Sequence, residues 1–318
     1  MASVICMRNE IQKRSLSQQF QALLLVLISS FTVHLAQAQP FLEGPQSGQR
    51  GGSGAQGGRG LGQEKLISRR GPSSRAGVPE WDVAETFRED IFTFVRIKYG
   101  GGGWGRRGGS WRVDYPAADL NFSYRLEQLT SMKVDPEGEI LEFIDDRLYD
   151  YPFIFMIDPR SFRISETEAE SLRRYLLNGG FLMVDDFWGK RMLGDFLAEM
   201  EKVFPNRKAQ KLPLSHPIFS CVFPLDKFPQ VPSEDSAHRN RGTALESWED
   251  EIYNETPAPA NYQAIVDDKG RIMVLMCHNT DLSDGWEEEG ISQWFFSAYS
   301  EKYSYPMGIN IVYYALTH

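Results

Sequence analysis

The apolar positions of this chain fall into runs of two kinds, and their alternation predicts an α/β order. Ile91 to Tyr99 (IFTFVRIKY) is β-branched and aromatic, the signature of a strand. A glycine-rich stretch follows it. Leu120, Tyr124, Leu126 and Leu129 then recur near helical spacing and predict a helix over 117–130. Glu139 to Ile144 reads as a short strand. Tyr151 to Ile157 is continuously apolar, which suits a parallel sheet covered on both faces. Ser165 and Glu168 have capping-box spacing and open the next helix, which Asn178-Gly179-Gly180 closes. Phe181 to Val184 is another apolar strand, and 190–203 the helix after it. Tyr262 to Val266 and Arg271 to Cys277 are strands on either side of the turn Asp267-Asp268-Lys269-Gly270, and a last helix covers 307–316. Strands alternating with helices predict a doubly wound, mostly parallel sheet.

The chain before this region has a different character. Arg8, Lys13 and Arg14 precede an apolar run from Phe20 to Leu35, and Ala36-Gln37-Ala38 closes it as a cleavage signature. Residues 1–38 therefore read as a signal peptide, which implies export to the periplasm or beyond. The run spans 16 residues, short of the ~20 that a membrane helix needs, so no span is expected after cleavage. Residues 39–80 hold 11 of the 28 glycines and few large apolar side chains. Such a segment cannot offset its own ordering entropy and reads as a disordered linker. The remainder, 81–318, is long enough for one α/β domain with a sizeable core.

Charge sharpens this division. The whole chain carries a formal −9, whereas the linker is basic by three and residues 81–318 stand near −14. An acidic domain lacks the basic face that releases counterions from nucleic acid, so a nucleic-acid partner is not expected.

Ligands of such sheets gather at the carboxyl ends of the parallel strands. Reading off those ends gives Tyr99, Asp158, Asp185 and Asp186, and then His278, Asn279, Asp281 and Asp284. Asp185-Asp186 suit general acid–base work or a hard cation, and equally one of them suits the cap of the following helix. Asn279, Asp281 and Asp284 offer oxygen ligands without the spacing of an EF-hand loop. Glu287, Glu288 and Glu289 read as a solvated run. Gly100, Gly102 and Gly105 fit G-x-G-x-x-G formally, but the helix begins too late for a dinucleotide site. A glycine loop carrying Trp104 and Trp111 over a pocket, or a plain insertion, are the competing readings. His216 and His278 are the best-placed histidines. No zinc-type ligand set and no Gly-x-Ser-x-Gly or Gly-x-Cys-x-Gly elbow occurs, so no metal ligands and no cofactor are assigned. Cys221 and Cys277 remain after cleavage, as a disulfide or as separate thiols.

Several strings occur together and in order: Phe92-Thr93-Phe94-Val95-Arg96-Ile97-Lys98-Tyr99, Asp114-Tyr115-Pro116 with Asp119-Leu120-Asn121-Phe122, and Tyr151-Pro152-Phe153-Ile154. Asn178-Gly179-Gly180-Phe181-Leu182-Met183-Val184-Asp185-Asp186-Phe187 and Ser215-His216-Pro217-Ile218-Phe219 complete the set. Over about 90–318 the chain thereby resembles the bacterial domain-of-unknown-function family numbered 4159. The resemblance implies kinship with class I glutamine amidotransferase-like domains, which are flavodoxin-like sandwiches, and adds Asp114, Asp119 and Asn121 to the candidates. In catalytic relatives a cysteine stands at the turn after the Gly-Gly and the strand. Here Asp185-Asp186-Phe187 stand there, so glutaminase chemistry is not expected, and the carboxylates inherit an exposed position.

The reading that follows is an exported, non-catalytic envelope module that binds a partner protein or small ligand at the strand ends, with Trp104, Trp111, Trp188 and Trp286 as aromatic support. The alternative is a hydrolase in which Asp185 or Asp186 acts with a divalent cation and Asp158 or Asp281.

Overall fold

The computed structural model describes residues 75, 77–83, 90–100, 110–240 and 258–318. The segment read as a signal lies outside these residues, as does most of the linker. Trp104 and the glycines after Gly100 in the predicted loop lie outside them too. The linker's last residues are placed: Val78 is buried, and Arg75 donates to the carbonyl of Pro136 (2.9 Å) and pairs with Glu137 (2.8 Å).

The strands are β1 (Ile91–Phe92), β2 (Val95–Ile97), β3 (Lys133–Val134), β4 (Glu139–Leu141), β5 (Phe153–Ile157), β6 (Phe181–Phe187), β7 (Gln210–Lys211), β8 (Asn261–Val266) and β9 (Ile272–His278). The main sheet has seven of them in the order β4-β2-β5-β6-β9-β8-β7. From β4 to β9 all neighbours are parallel, while β8 runs antiparallel to both β9 and β7. This is the predicted doubly wound, mostly parallel α/β architecture. The run Ile91–Tyr99 is not one strand. Its first residues pair with β3 in a separate two-stranded sheet, and its later ones enter the main sheet.

The major helices are α1 (Ala117–Leu129), α2 (Glu166–Leu177) and α3 (Gly189–Val203). After them come the single turn α4 (Asp284–Glu287) and α5 (Tyr305–Thr317), which continues a π-helical segment, Phe296–Ser304. Helix α2 opens with the predicted capping box, Ser165 and Glu168 each satisfying the other's backbone N–H. Gly179, at φ +109, closes it. Alternate residues of the buried strands feed two cores. Phe153, Phe155 and Ile157 face Phe122 and Leu126 of α1 and Ile309 and Ile311 of α5. Ile154 and Met156 face Leu172 and Leu176 of α2 and Met192 and Phe196 of α3. Helix α5 comes close because position 308 is glycine: a Cβ there would lie 2.5 Å from the Phe122 ring and 2.7 Å from Trp286. Among the described residues no helix is long and apolar enough to cross a membrane.

The chain moves from β2 outward to β4, then returns across β2 to build β5, β6 and β9 on its other side. The winding therefore reverses between β2 and β5, and the carboxyl edge there is where open α/β sheets form ligand crevices.

Candidate functional site

Among the described residues, four other than glycine hold left-handed backbone: Asp114 (φ 61), Asp158 (φ 47), Asp186 (φ 51) and Asn279 (φ 58). Asp158 follows β5, Asp186 is the penultimate residue of β6 and Asn279 follows β9. Asp114 precedes α1 on the crossover from β2. All four belong to the same edge of the sheet. Left-handed backbone costs a residue with a Cβ about 1–2 kcal/mol, and strain of this kind persists where surrounding structure enforces it, often at functional sites.

The β6–β9 register slips between Val184 and Phe187, around left-handed Asp186, and adjacent strand residues point to opposite faces. Asp185 is fully enclosed. Its Oδ2 accepts from the backbone N of Ser283 (2.9 Å), and its Oδ1 has no hydrogen-bond partner. Asp186 accepts from the indole Nε1 of Trp188 (3.1 Å) and shares a hydrogen bond with Asp281. Neither aspartate caps α3, because the backbone N of Gly189 is taken by Oδ1 of Asn279 (2.9 Å). Nor is the position an exposed elbow: Asp185 is 0% and Asp186 7% exposed. The strand continues past both residues to Phe187, so they sit inside the ladder and not beyond it.

A second group of carboxyls stands beside this pair. One oxygen each from Asp114, Asp284 and Glu287 lies within 4.8 Å of the others. Asp284 and Glu287 are three apart on the turn α4, which places them on one face. Asp281 fixes that turn, its Oδ1 accepting from the Ser283 hydroxyl (2.8 Å) and from the Asp284 backbone N (2.9 Å). Asn121 holds it from the other side by donating to the carbonyl of Trp286 (2.7 Å). Asp114 is placed by Arg96, which is fully buried in β2. Arg96 Nη1 donates to the carbonyls of Trp111 (3.0 Å) and Val113 (2.9 Å), just ahead of Asp114. Oδ2 of Asp114 is enclosed and meets no hydrogen-bond donor among the described residues.

Electrostatics follow from this crowding. Burial lifts the carboxyls of Asp114, Asp281 and Asp284 well above the usual range, and each is pushed further by its acidic neighbours. Asp185 is lifted in the same way, by burial first and then by Asp186. Asp186 and Glu287 are also raised by burial, less strongly; Arg160 works the other way at Asp186, and a hydrogen bond with Asp114 and then Arg96 do so at Glu287. Glu288 is pushed up to about 7 by burial despite accepting from the backbone N of Glu234 (2.9 Å). The acidic run 287–289 is therefore not solvated as its composition suggests. Glu287 faces Asp114, and Glu289 is bound by Arg125 and Tyr305.

The other candidates divide into supports and absentees. Tyr99 donates its hydroxyl to the carbonyls of Ile157 (2.9 Å) and Asp158 (2.6 Å), pinning the end of β5. Asp158 pairs with Arg160 (2.6 Å), and Asp119 is consumed by Arg96. His278 contacts the Gly189 carbonyl through Nε2 (2.8 Å), so with Asn279 it anchors the start of α3. His216 is not at this edge. Its Nδ1 accepts from Ile218 N (3.2 Å) and its ring packs on Tyr314, which packs on Phe181 at the amino end of β6. Trp111, Trp188 and Trp286 are buried in the interior, where Trp286 meets Phe122 at 4.4 Å, and so form no exposed aromatic platform. Cys221 and Cys277 are free thiols, both shifted upward by burial, which rules out the disulfide. A surface cleft bounded by Arg173, Phe204, Arg207 and Asp268 lies at the opposite edge. Its arginines are occupied by the carbonyl of Val203 (2.5 Å) and the carboxylate of Asp268 (2.9 Å).

Arg96 and Glu287 are the residues that sequence reasoning did not place in the site, whereas Asp284 was among the strand-end candidates. The i, i+3 spacing from Asp284 was the available signal for Glu287. The placement of Arg96 depends on a contact across 23 residues, which no local pattern carries.

Residues 93–316 match the family described as Domain of unknown function (DUF4159). No curated protein matches the chain.

Proposed function

The chain belongs to the family of the Domain of unknown function (DUF4159), and from that premise we propose that it is an exported, non-catalytic envelope module that binds a small ligand at the carboxyl edge of its parallel strands. The observation that carries this reading is the meeting of Asp114, Asp158, Asp186 and Asn279, all left-handed, at that one edge. A floor of carboxyls selects ligands that donate hydrogen bonds or carry positive charge, such as hydroxylated or amine-bearing molecules. The basic linker and the signal segment fit a protein tethered and working outside the cytoplasm.

Kinship with class I glutamine amidotransferase-like domains is part of the same reading. Helix α2 is followed by Gly179-Gly180 and then β6, and left-handed Asp186 stands near the end of that strand, close to where catalytic relatives turn sharply. No thiol is there: Cys277 is buried within β9, and Cys221 donates to the carbonyl of Asn310 (3.3 Å). A thiolate mechanism therefore has no nucleophile among these residues.

One observation favours the hydrolase as a second reading, and it narrows it. Asp186 is hydrogen-bonded to Asp281 beside a carboxyl cluster, and burial with acidic neighbours raises Asp281, so the two carboxyls can share a proton as an acid–base pair does. Asp185, with no exposed surface, cannot touch a substrate.

A thermal-shift panel of neutral sugars, amino sugars and polyamines tests the proposal. At least one class should raise Tm in a saturable way, and Asp186→Asn should abolish that shift while the variant still folds. Ligand shifts that survive Asp186→Asn unchanged would place the binding elsewhere.

A further inference from the structure

We propose that Asp114, Asp284 and Glu287 form a binding site for a hard divalent cation, Ca²⁺ or Mg²⁺. The inference rests on reading this edge as the functional site and gives that site its first ligand.

Three features carry it. The ligand oxygens lie within 4.8 Å of one another, close enough for one ion to contact all three. They come from two independently braced elements. The turn α4 is held by Asp281 and Asn121, and the segment before α1 is held by Arg96. The third feature is separate from the clustering. Asp114 is 9% exposed, its Oδ2 is enclosed, and no donor among the described residues meets that oxygen. A buried carboxylate oxygen without a partner is costly to desolvate, and a cation is the partner that would offset that cost.

The donor set decides the class of metal. All three ligands are carboxylates, with no imidazole or thiolate, which suits hard oxygen-seeking ions and not zinc or copper. Water would complete the shell of either ion. Ca²⁺ accepts irregular arrangements at 2.3–2.6 Å, whereas Mg²⁺ requires near-octahedral ones at about 2.0–2.1 Å. The two are therefore separable by experiment.

The test uses the full chain, freed of metal with a chelator and dialysed at constant ionic strength. CaCl2 and MgCl2 are titrated separately while Tm is followed, and Tb³⁺ is added as a luminescent stand-in for Ca²⁺, excited through the tryptophans. One of the two cations should raise Tm by about 2 °C or more at saturation, and Tb³⁺ emission should appear and be competed away by that cation. Glu287→Gln, at a half-buried position that tolerates a neutral isostere, should lose both signals. Asp268→Asn, an exposed change at the opposite edge, should keep them. Absence of both signals in the unsubstituted chain would overturn the proposal, as would their persistence in Glu287→Gln. If the cation binds while no organic ligand does, this site stands and the ligand reading fails. If organic ligands bind through Asp186 without any cation effect, the reverse holds.

Discussion

Arg96 Nε donates to both carboxylate oxygens of Asp119, at 3.1 and 2.9 Å, and this ion pair is sealed inside the domain, with Arg96 wholly buried. Nη2 also donates to Asp119, Nη1 donates to the carbonyls of Trp111 and Val113 ahead of Asp114, and the guanidinium lies over the ring of Phe155 at 5.0 Å. A strand residue, a helix residue and the segment entering the site are thus joined by one side chain.

Removing one member of such a pair leaves the other charged and unpaired in the interior. Asp119→Ala should therefore cost roughly 3–5 kcal/mol, read as a lower midpoint in urea with little change in slope. Arg96→Met combined with Asp119→Leu should cost clearly less than the sum of the two single changes, because no orphaned charge remains. Additive losses would show that packing, and not the pairing, governs this position.

Asp185 makes a prediction about pH. Its carboxyl is raised, first by burial and then by Asp186, so the folded chain holds that proton more tightly than the unfolded chain does. Its contribution to stability is fully present below the ordinary carboxyl value of about 4 and falls as pH rises towards the folded value. Asp185→Asn mimics the protonated side chain and keeps an acceptor for Ser283 N. Denaturation midpoints from pH 4 to 8 should decline less steeply in this variant than in the parent chain. Parallel profiles would mean that Asp185 is ionised in the fold.

The elements that local pattern controls were legible in the sequence. Ser165 with Glu168, Gly179 after α2, and the turn held by Asp267, whose Oδ1 accepts from the backbone of Lys269 (2.8 Å) and Arg271 (2.9 Å), are each set within a few residues. The sheet edge was legible for the same reason, since strand ends turn polar locally. What was not legible depends on partner choice at long range. The run Ile91–Tyr99 looks uniform, yet β1 and β2 pair with different neighbours. Asp185 and Asp186 look equivalent in sequence, yet Asp185 is wholly enclosed while Asp186 holds left-handed backbone at a register slip. Glu287 looks solvated because nothing near it in sequence reveals Asp114, which the fold brings to it from the β2–α1 crossover.

Gly285 tests how α4 is seated. A Cβ there would stand 2.5 Å from the Cβ and 2.6 Å from the Oγ of Ser304, whose hydroxyl donates to the carbonyl of Leu282. Gly285→Ala should cost about 1–3 kcal/mol through overpacking. It should also weaken any ligand held by Asp284 and Glu287, which share its turn. Adding Ser304→Gly opens the contact, so the double variant should be more stable than addition of the two single losses predicts, by at least about 0.5 kcal/mol. Strict additivity would mean that the turn relaxes freely.

Asp186 combines two costs in the isolated protein: left-handed backbone and a carboxyl buried among other carboxyls. Asparagine adopts the left-handed region as readily as aspartate and still offers an oxygen to the Trp188 indole, so Asp186→Asn removes the charge while leaving the backbone unchanged. If the edge is built for a ligand and not for stability, that variant should be more stable than the parent at pH 7–8 in chelator-treated buffer, by about 0.5–2 kcal/mol. The gain should shrink towards pH 4, where the parent's own carboxyl is protonated. A variant less stable than the parent at pH 7–8 would show that the ionised Asp186 supports the fold, through Arg160 or through its bond to Asp281, and would remove the argument that this carboxylate is kept for binding.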